Sequence, residues 1–116
     1  MKLNIKNKLI EIDDKCVPLV KYFNEIGLDT KYCCQGHNDY ENFNIMFEEY
    51  ITDEQMINFI SEYSTKHKHS PFLGKFVKWY RKMSGEIVCN WMYIVNTYEE
   101  ANVTYNRLIS NEFKVK

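Results

Sequence analysis

Apolar and polar residues alternate twice within the first twelve positions. Leu3 and Ile5 flank Asn4, and Ile10 and Ile12 flank Glu11. A period of two predicts extended chain, here a strand folded as a hairpin around Asn7-Lys8. The period then changes. Val17, Val20, Phe23 and Ile26 recur at helical spacing after Asp13-Asp14, which offers an N-cap. Pro18 falls in the first turn, where its missing N–H costs little, and Gly27 supplies the C-cap. A helix is predicted over residues 15–26.

Alternation returns in two further segments. Leu28, Thr30, Tyr32 and Cys34 are placed on one face of a second strand, and Phe43, Ile45 and Phe47 on one face of a third. Residues 35–42 between them are rich in turn formers. Thr52-Asp53-Glu54-Gln55 reads as a capping box, with Ile51 and Met56 as its hydrophobic staple. The helix it opens carries Met56, Ile60 and Tyr63 and is expected to reach about Lys66. Residues 76–82 and 87–95 read as strands joined at Ser84-Gly85, the second with Ile87, Cys89, Trp91, Tyr93 and Val95 on one face. Thr97 to Glu100 is read as another capping box, opening a helix that ends near Phe113. The order β-α-β-β-α-β-β-α predicts one α+β domain over residues 1–116, with an antiparallel-rich sheet and helices on one face. Its first six elements match the ferredoxin-like, split βαβ pattern, followed by an extra strand and a C-terminal helix.

A length of 116 residues fits a single core. Composition is that of a globular protein, with 45% hydrophobic and 27% charged residues. No apolar run approaches the roughly 20 residues that span a bilayer. Polar residues interrupt the first six positions too often for a secretory signal. The expectation is a cytoplasmic protein, in the host cell's cytoplasm if phage-encoded. Its four cysteines, Cys16, Cys33, Cys34 and Cys89, are then expected to be reduced. The net charge of −1 implies no partner, but its distribution does. Residues 1–65 hold twelve acids against six lysines, whereas residues 66–82 hold six basic residues and no acid.

The most unusual local sequence is Tyr32-Cys33-Cys34-Gln35-Gly36-His37, where a strand runs out into a loop. Cys33, Cys34, Gly36 and His37 are the candidate ligand-binding residues. Zinc is one chemistry, with Cys34 and His37 at a usable chelate spacing. It is disfavoured, because neighbours on a strand point to opposite faces and a structural site needs four ligands. The remaining candidates, His67, His69, Cys16 and Cys89, are remote. A Cys–His nucleophile is a second chemistry, and anion or nucleotide binding by backbone N–H groups around Gly36 a third. Against all three stands a plain structural role. One cysteine would be a small core hydrophobe and Gly36 a turn residue with positive φ.

The series Ile12-Asp13, Pro18-Leu19-Val20, Asn24, Gly27, Thr30, Cys34, Gly36-His37 resembles small uncharacterised proteins of phages and Gram-positive bacteria. These read approximately I-D-x-x-I-x-P-L-I-x-x-L-N-x-x-G-x-x-T-x-x-S-C-x-G-H. The resemblance covers about a quarter of the chain, from Ile12 to His37. More distantly, the stretch is similar to wybutosine-pathway tRNA methyltransferases, with Asp13, Asn24, Cys34 and Gly36 at matching places. Cys33, Gln35 and His37 stand where that family has Ser, Ser and Arg. Methyl transfer is therefore not carried over. The resemblance implies a shared β-α-β start and a loop that contacts a ligand. A phage origin implies a protein that binds and blocks a host component, including defence systems such as CRISPR.

Residues Lys75, Lys78, Trp79, Tyr80, Arg81 and Lys82 mix cations with aromatic faces and are the candidate nucleic-acid or partner surface. On a strand, Phe76, Lys78, Tyr80 and Lys82 take one face, and Val77, Trp79 and Arg81 the other. The competing explanation is an edge strand whose lysines discourage aggregation. Neither Glu48-Glu49 nor Glu99-Glu100 has the spacing of an acid–base pair. The reading that results is a binding protein, not an enzyme, that needs no cofactor and contacts a host protein or nucleic-acid complex. The alternative is a small zinc- or ligand-binding enzyme or sensor built on the Cys-Cys-Gln-Gly-His loop.

Overall fold

A computed structural model describes residues 2–5, 8–36, 42–63 and 71–110. β1 (Lys2–Ile5) and β2 (Lys8–Glu11) form an antiparallel hairpin with Leu3 opposite Ile10. A 3-10 turn at Asp14–Cys16 leads into α1 (Val17–Glu25). Then follow β3 (Thr30–Cys34), β4 (Phe43–Phe47), α2 (Asp53–Glu62), β5 (Lys75–Met83), β6 (Glu86–Val95) and α3 (Tyr98–Ile109). The last four strands make one antiparallel sheet in the order β3-β4-β6-β5, so β3 and β5 are its edges.

The α+β class, the element order and the antiparallel sheet are as expected. One feature differs from a ferredoxin-like start, in which the strand before the first helix would join the main sheet. Here β1 and β2 pair with each other and form a separate two-stranded sheet. The reason is local: a strand of four residues folded straight back on its neighbour satisfies its backbone there.

Period-two patterning decides what faces the helices. Phe43, Ile45 and Phe47 of β4 and Tyr93 and Val95 of β6 are buried against Leu19, Val20 and Phe23 of α1, Met56 and Phe59 of α2, and Ala101 and Leu108 of α3. Phe23 is central, its ring edge-on to Phe47 at 5.1 Å, Phe59 at 5.7 Å and Tyr93 at 6.4 Å. The Tyr93 hydroxyl donates to the Leu73 carbonyl and is 2.8 Å from Thr104 Oγ1, which accepts from Leu73 N–H. Burial pushes the Tyr93 phenol up to about 12. Gly74, beside this network, has φ +87°, and a Cβ there would run into Ile94 O and the Val95 side chain.

Two of the three caps are where the sequence places them. Asp13 makes no side-chain cap hydrogen bond, because the 3-10 turn intervenes and Cys16, likewise without one, takes the N-cap position of α1. Thr52 and Gln55 form the full capping box of α2, and the flanking Ile51 and Met56 are both buried. Thr97 Oγ1 accepts from Glu100 N–H at the start of α3. Both helices stop short of the expected ends at Lys66 and Phe113: α2 ends at Glu62 with Tyr63 as its C-cap, and α3 ends at Ile109, where Ser110 is already extended. Residues 64–66 and 111–113 lie outside the described residues.

β3 corrects one expectation. Thr30 lies opposite Phe47 and Tyr32 opposite Met46, so Lys31 is an extra residue, a β-bulge. Past the bulge the parity flips. Thr30 faces the helices beside Phe47, but Tyr32 and Cys34 turn to the other face, beside Met46 and Asn44. Cys33, opposite Ile45, turns inward.

Candidate functional site

The bulge decides the fate of the cysteine loop. Cys33, aimed at the helix layer, meets Cys16 from the turn before α1, and the two form a disulfide with Cα atoms 6.1 Å apart. The expectation of four reduced thiols is corrected here. Cys34 remains a free thiol, half-buried on the opposite face, and Cys89 is free and exposed. Cys33 and Cys34 therefore do not converge on one ligand. Gly36 has φ +84°, the left-handed turn that lets the chain leave the strand. His37, the fourth candidate, lies outside the described residues, as do His67 and His69. Among the described residues no group of three or more His, Cys, Asp and Glu side chains is placed to hold a metal ion.

The conspicuous motif residues upstream hold the scaffold. Asn24 Nδ2 donates to Val20 O at 2.7 Å and to Thr30 Oγ1 at 2.8 Å, while its Oδ1 accepts from Thr30 N–H at 3.2 Å. This bracket ties the end of α1 to the start of β3. Pro18 sits in the first turn of α1, and Gly27, with φ +91°, follows its end. The series from Pro18 to Thr30 thus encodes the helix-to-strand corner.

The basic aromatic segment forms β5, and its faces divide as the alternation predicts. On the helix side, Lys78 lies opposite Trp91 and its ammonium is 6.0 Å from the ring centroid. It donates to Asp53 Oδ1 at 2.7 Å, which also accepts from Trp91 Nε1 at 2.9 Å. These two hydrogen bonds hold Asp53 below the usual carboxylate range, and the Asp53 carboxylate raises the Lys78 ammonium. On the other face, Arg81 donates from Nη2 to Glu49 Oε1 at 3.1 Å and from Nη1 to Met46 Sδ at 3.5 Å. Two cations of the segment are thus matched by carboxylates of the same molecule. The aromatics are not covered: Trp79 is 54% exposed and Tyr80 72%.

Among the described residues, all three helices pack on one side of the four-stranded sheet. The other side is built from Tyr32 and Cys34 of β3, Met46 of β4, Val88, Asn90 and Met92 of β6, and Val77, Trp79, Arg81 and Met83 of β5. Its floor is close to dry: Met46 is 3% and Asn90 1% exposed. Tyr32, Trp79 and Met83 stand exposed around that floor. Glu49 closes one end, accepting hydrogen bonds from Lys31 of the bulge and from Arg81. The Lys31 ammonium first, and the peptide N–H of Glu49 next, hold this carboxyl down at about 2. Glu48 shifts upward instead, chiefly through burial. Asn90 Nδ2 donates to Phe47 O at 2.7 Å, but its buried Oδ1 has no hydrogen-bond partner among the described residues.

Sequence reading missed Lys31, Glu49, Asn90 and Met46. A signal for Met46 was present: Ile45-Met46-Phe47 is apolar at consecutive positions, which marks a strand covered on both faces. Lys31 carried none, because its orientation depends on the bulge.

No helix among the described residues is long and apolar enough to cross a membrane. The model of the family described as YoqC prophage protein matches residues 3–114, and the chain belongs to that family. No curated protein and no solved structure matches it.

Proposed function

We propose that this member of the YoqC prophage protein family acts by binding, and that the sheet face opposite the three described helices seats a host protein. The observation that carries this reading is the composition of that face. Two buried methionines floor it, and Tyr32, Trp79 and Met83 rise from it into solvent. Aromatic and methionine side chains around a dry floor are what protein interfaces enrich at their centres. A protein partner is favoured over nucleic acid because Lys78 and Arg81 are already neutralised by Asp53 and Glu49. They have less charge to offer phosphates. For a prophage, occupying such a partner means inhibiting it, and a component of host defence, CRISPR effectors included, is the target this reading assigns.

The test is affinity purification from host lysate, followed by calorimetry with the purified partner. Trp79→Ala should weaken binding by at least about tenfold, the scale of an interface tryptophan, with an unchanged circular dichroism spectrum. The reading is wrong if Trp79→Ala binds like wild type. It is also wrong if fluorescence anisotropy instead finds tight, steeply salt-dependent binding to nucleic acid that Lys75→Glu and Lys82→Glu abolish.

A further inference from the structure

The C-terminal ends of the three described helices open onto one groove, away from the open sheet face. Its volume is about 720 Å³, within the range of small-molecule sites. Leu28, Phe59 and Tyr63 give it a buried floor, and Ile26 and Ile109, 45% and 54% exposed, add apolar walls. The Tyr22 and Tyr63 hydroxyls, hydrogen-bonded to each other, join its α1 and α2 sides.

The charge of this groove runs against the usual pattern of helix ends. A helix C-terminus carries the negative end of the backbone dipole, so lysine or arginine in the last turn is the stabilising choice. α3 has Arg107 there. α1 and α2 have no basic residue in the last turn. Each closes on a glutamate instead, Glu25 and Glu62, and both line the groove. Among the described residues no lysine or arginine lines it. Elsewhere Lys31, Lys78 and Arg81 are matched with Glu49 and Asp53, whereas Glu25 and Glu62 have no ion-pair partner among the described residues. Two carboxylates at two negative helix ends, facing one cavity, oppose stability, and such departures concentrate at functional sites.

The walls define the chemistry that fits. Carboxylates and helix C-termini attract positive charge and repel phosphate. Aromatic side chains add cation–π attraction, and the aliphatic ones take methylene groups out of water. A metal ion gains nothing from an apolar floor, and no three metal-binding side chains converge among the described residues. A peptide would bring backbone N–H and C=O groups that this floor leaves unpaired. We infer that the groove is a binding site for a linear aliphatic polyamine, whose ammonium groups meet Glu25 and Glu62 while its methylene chain lies on the apolar floor. The site is built from the helix layer and stands without the reading of the open sheet face as a partner surface.

The experiment is calorimetric titration of the full chain with spermidine at low salt and neutral pH. The expected result is one saturating site per chain, at least about tenfold tighter for spermidine than for butylamine or Mg²⁺. Butylamine has a single ammonium, and Mg²⁺ has charge without methylenes. Glu25→Gln combined with Glu62→Gln keeps the shape of both side chains and removes both charges, and should weaken spermidine binding at least about tenfold. Both glutamates are exposed at helix C-termini, so the double variant should unfold at a urea midpoint no lower than wild type. That separates lost charge from lost fold. A wild-type chain with no saturable heat up to about 10 mM spermidine overturns the inference, whether the groove is empty or held by the chain's own lysines. So do equal affinities for spermidine and Mg²⁺, and so does a double variant that binds spermidine like wild type.

Discussion

Glu49 joins three strands through one carboxylate. Lys31 comes from the bulge of β3, Arg81 from β5, and the Asn90 amide from β6 lies beside them. The sign of its effect on stability follows from its pKa, which falls from an ordinary 4.5 to about 2 on folding. A carboxyl with a depressed folded pKa stabilises fully above its unfolded value. That stabilisation is lost as pH drops through the window from about 4.5 to about 2. Glu48, shifted upward, works in the opposite direction over the range just above its unfolded value. The difference between wild type and Glu49→Gln isolates one from the other. In urea titrations from neutral pH to pH 2, the wild-type midpoint should fall toward that of Glu49→Gln, the two converging at the acid end. Curves that stay parallel throughout would show that Glu49 gains nothing from its neighbours.

At the scale of elements, the corner between α1 and β3 shows which features the sequence displays openly and which it conceals. Helical spacing, Pro18 and Gly27 mark α1 directly, because each acts on the residues next to it. The bulge at Lys31 is not visible, since Lys31 offers neither the glycine nor the broken pattern that usually signals one. With it went the facing of Tyr32, Cys33 and Cys34, and so the whole geometry of the candidate cysteine site. The Asn24 bracket is intermediate: Asn24 and Thr30 stand out as motif residues, but only their contacts show that they serve the corner. Three hydrogen bonds depend on the Asn24 amide. Asn24→Ala should therefore cost about 1–3 kcal/mol, the penalty for stranding partly buried partners. Chemical denaturation should register this as a lower midpoint at an unchanged slope. Asn24→Asp keeps the acceptor but loses both donations, so it should fall between wild type and alanine.

For the whole molecule, the decisive link is one that composition argued against. A compartment argument predicts free thiols, because it infers redox state from location and takes no account of proximity. What brings Cys16 to Cys33 is tertiary: α1 packs across the inner face of β3, and the bulge turns Cys33 toward it. Packing thus overrides the compartment argument for the isolated protein, and the consequence can be measured. A bridge across a sequence separation of 17 removes loop-closure freedom from the unfolded chain, which is worth about 3 kcal/mol for a loop of this size. Protein purified without reductant should then expose only Cys34 and Cys89 to a thiol reagent after denaturation in urea. Treatment with a strong reductant should raise that count to all four and lower the urea midpoint. Cys33→Ser should match the reduced protein in stability and show no response to reductant. If four thiols react in unreduced, denatured protein, the bridge does not form, and the α1–β3 corner rests on the Asn24 bracket and apolar packing alone.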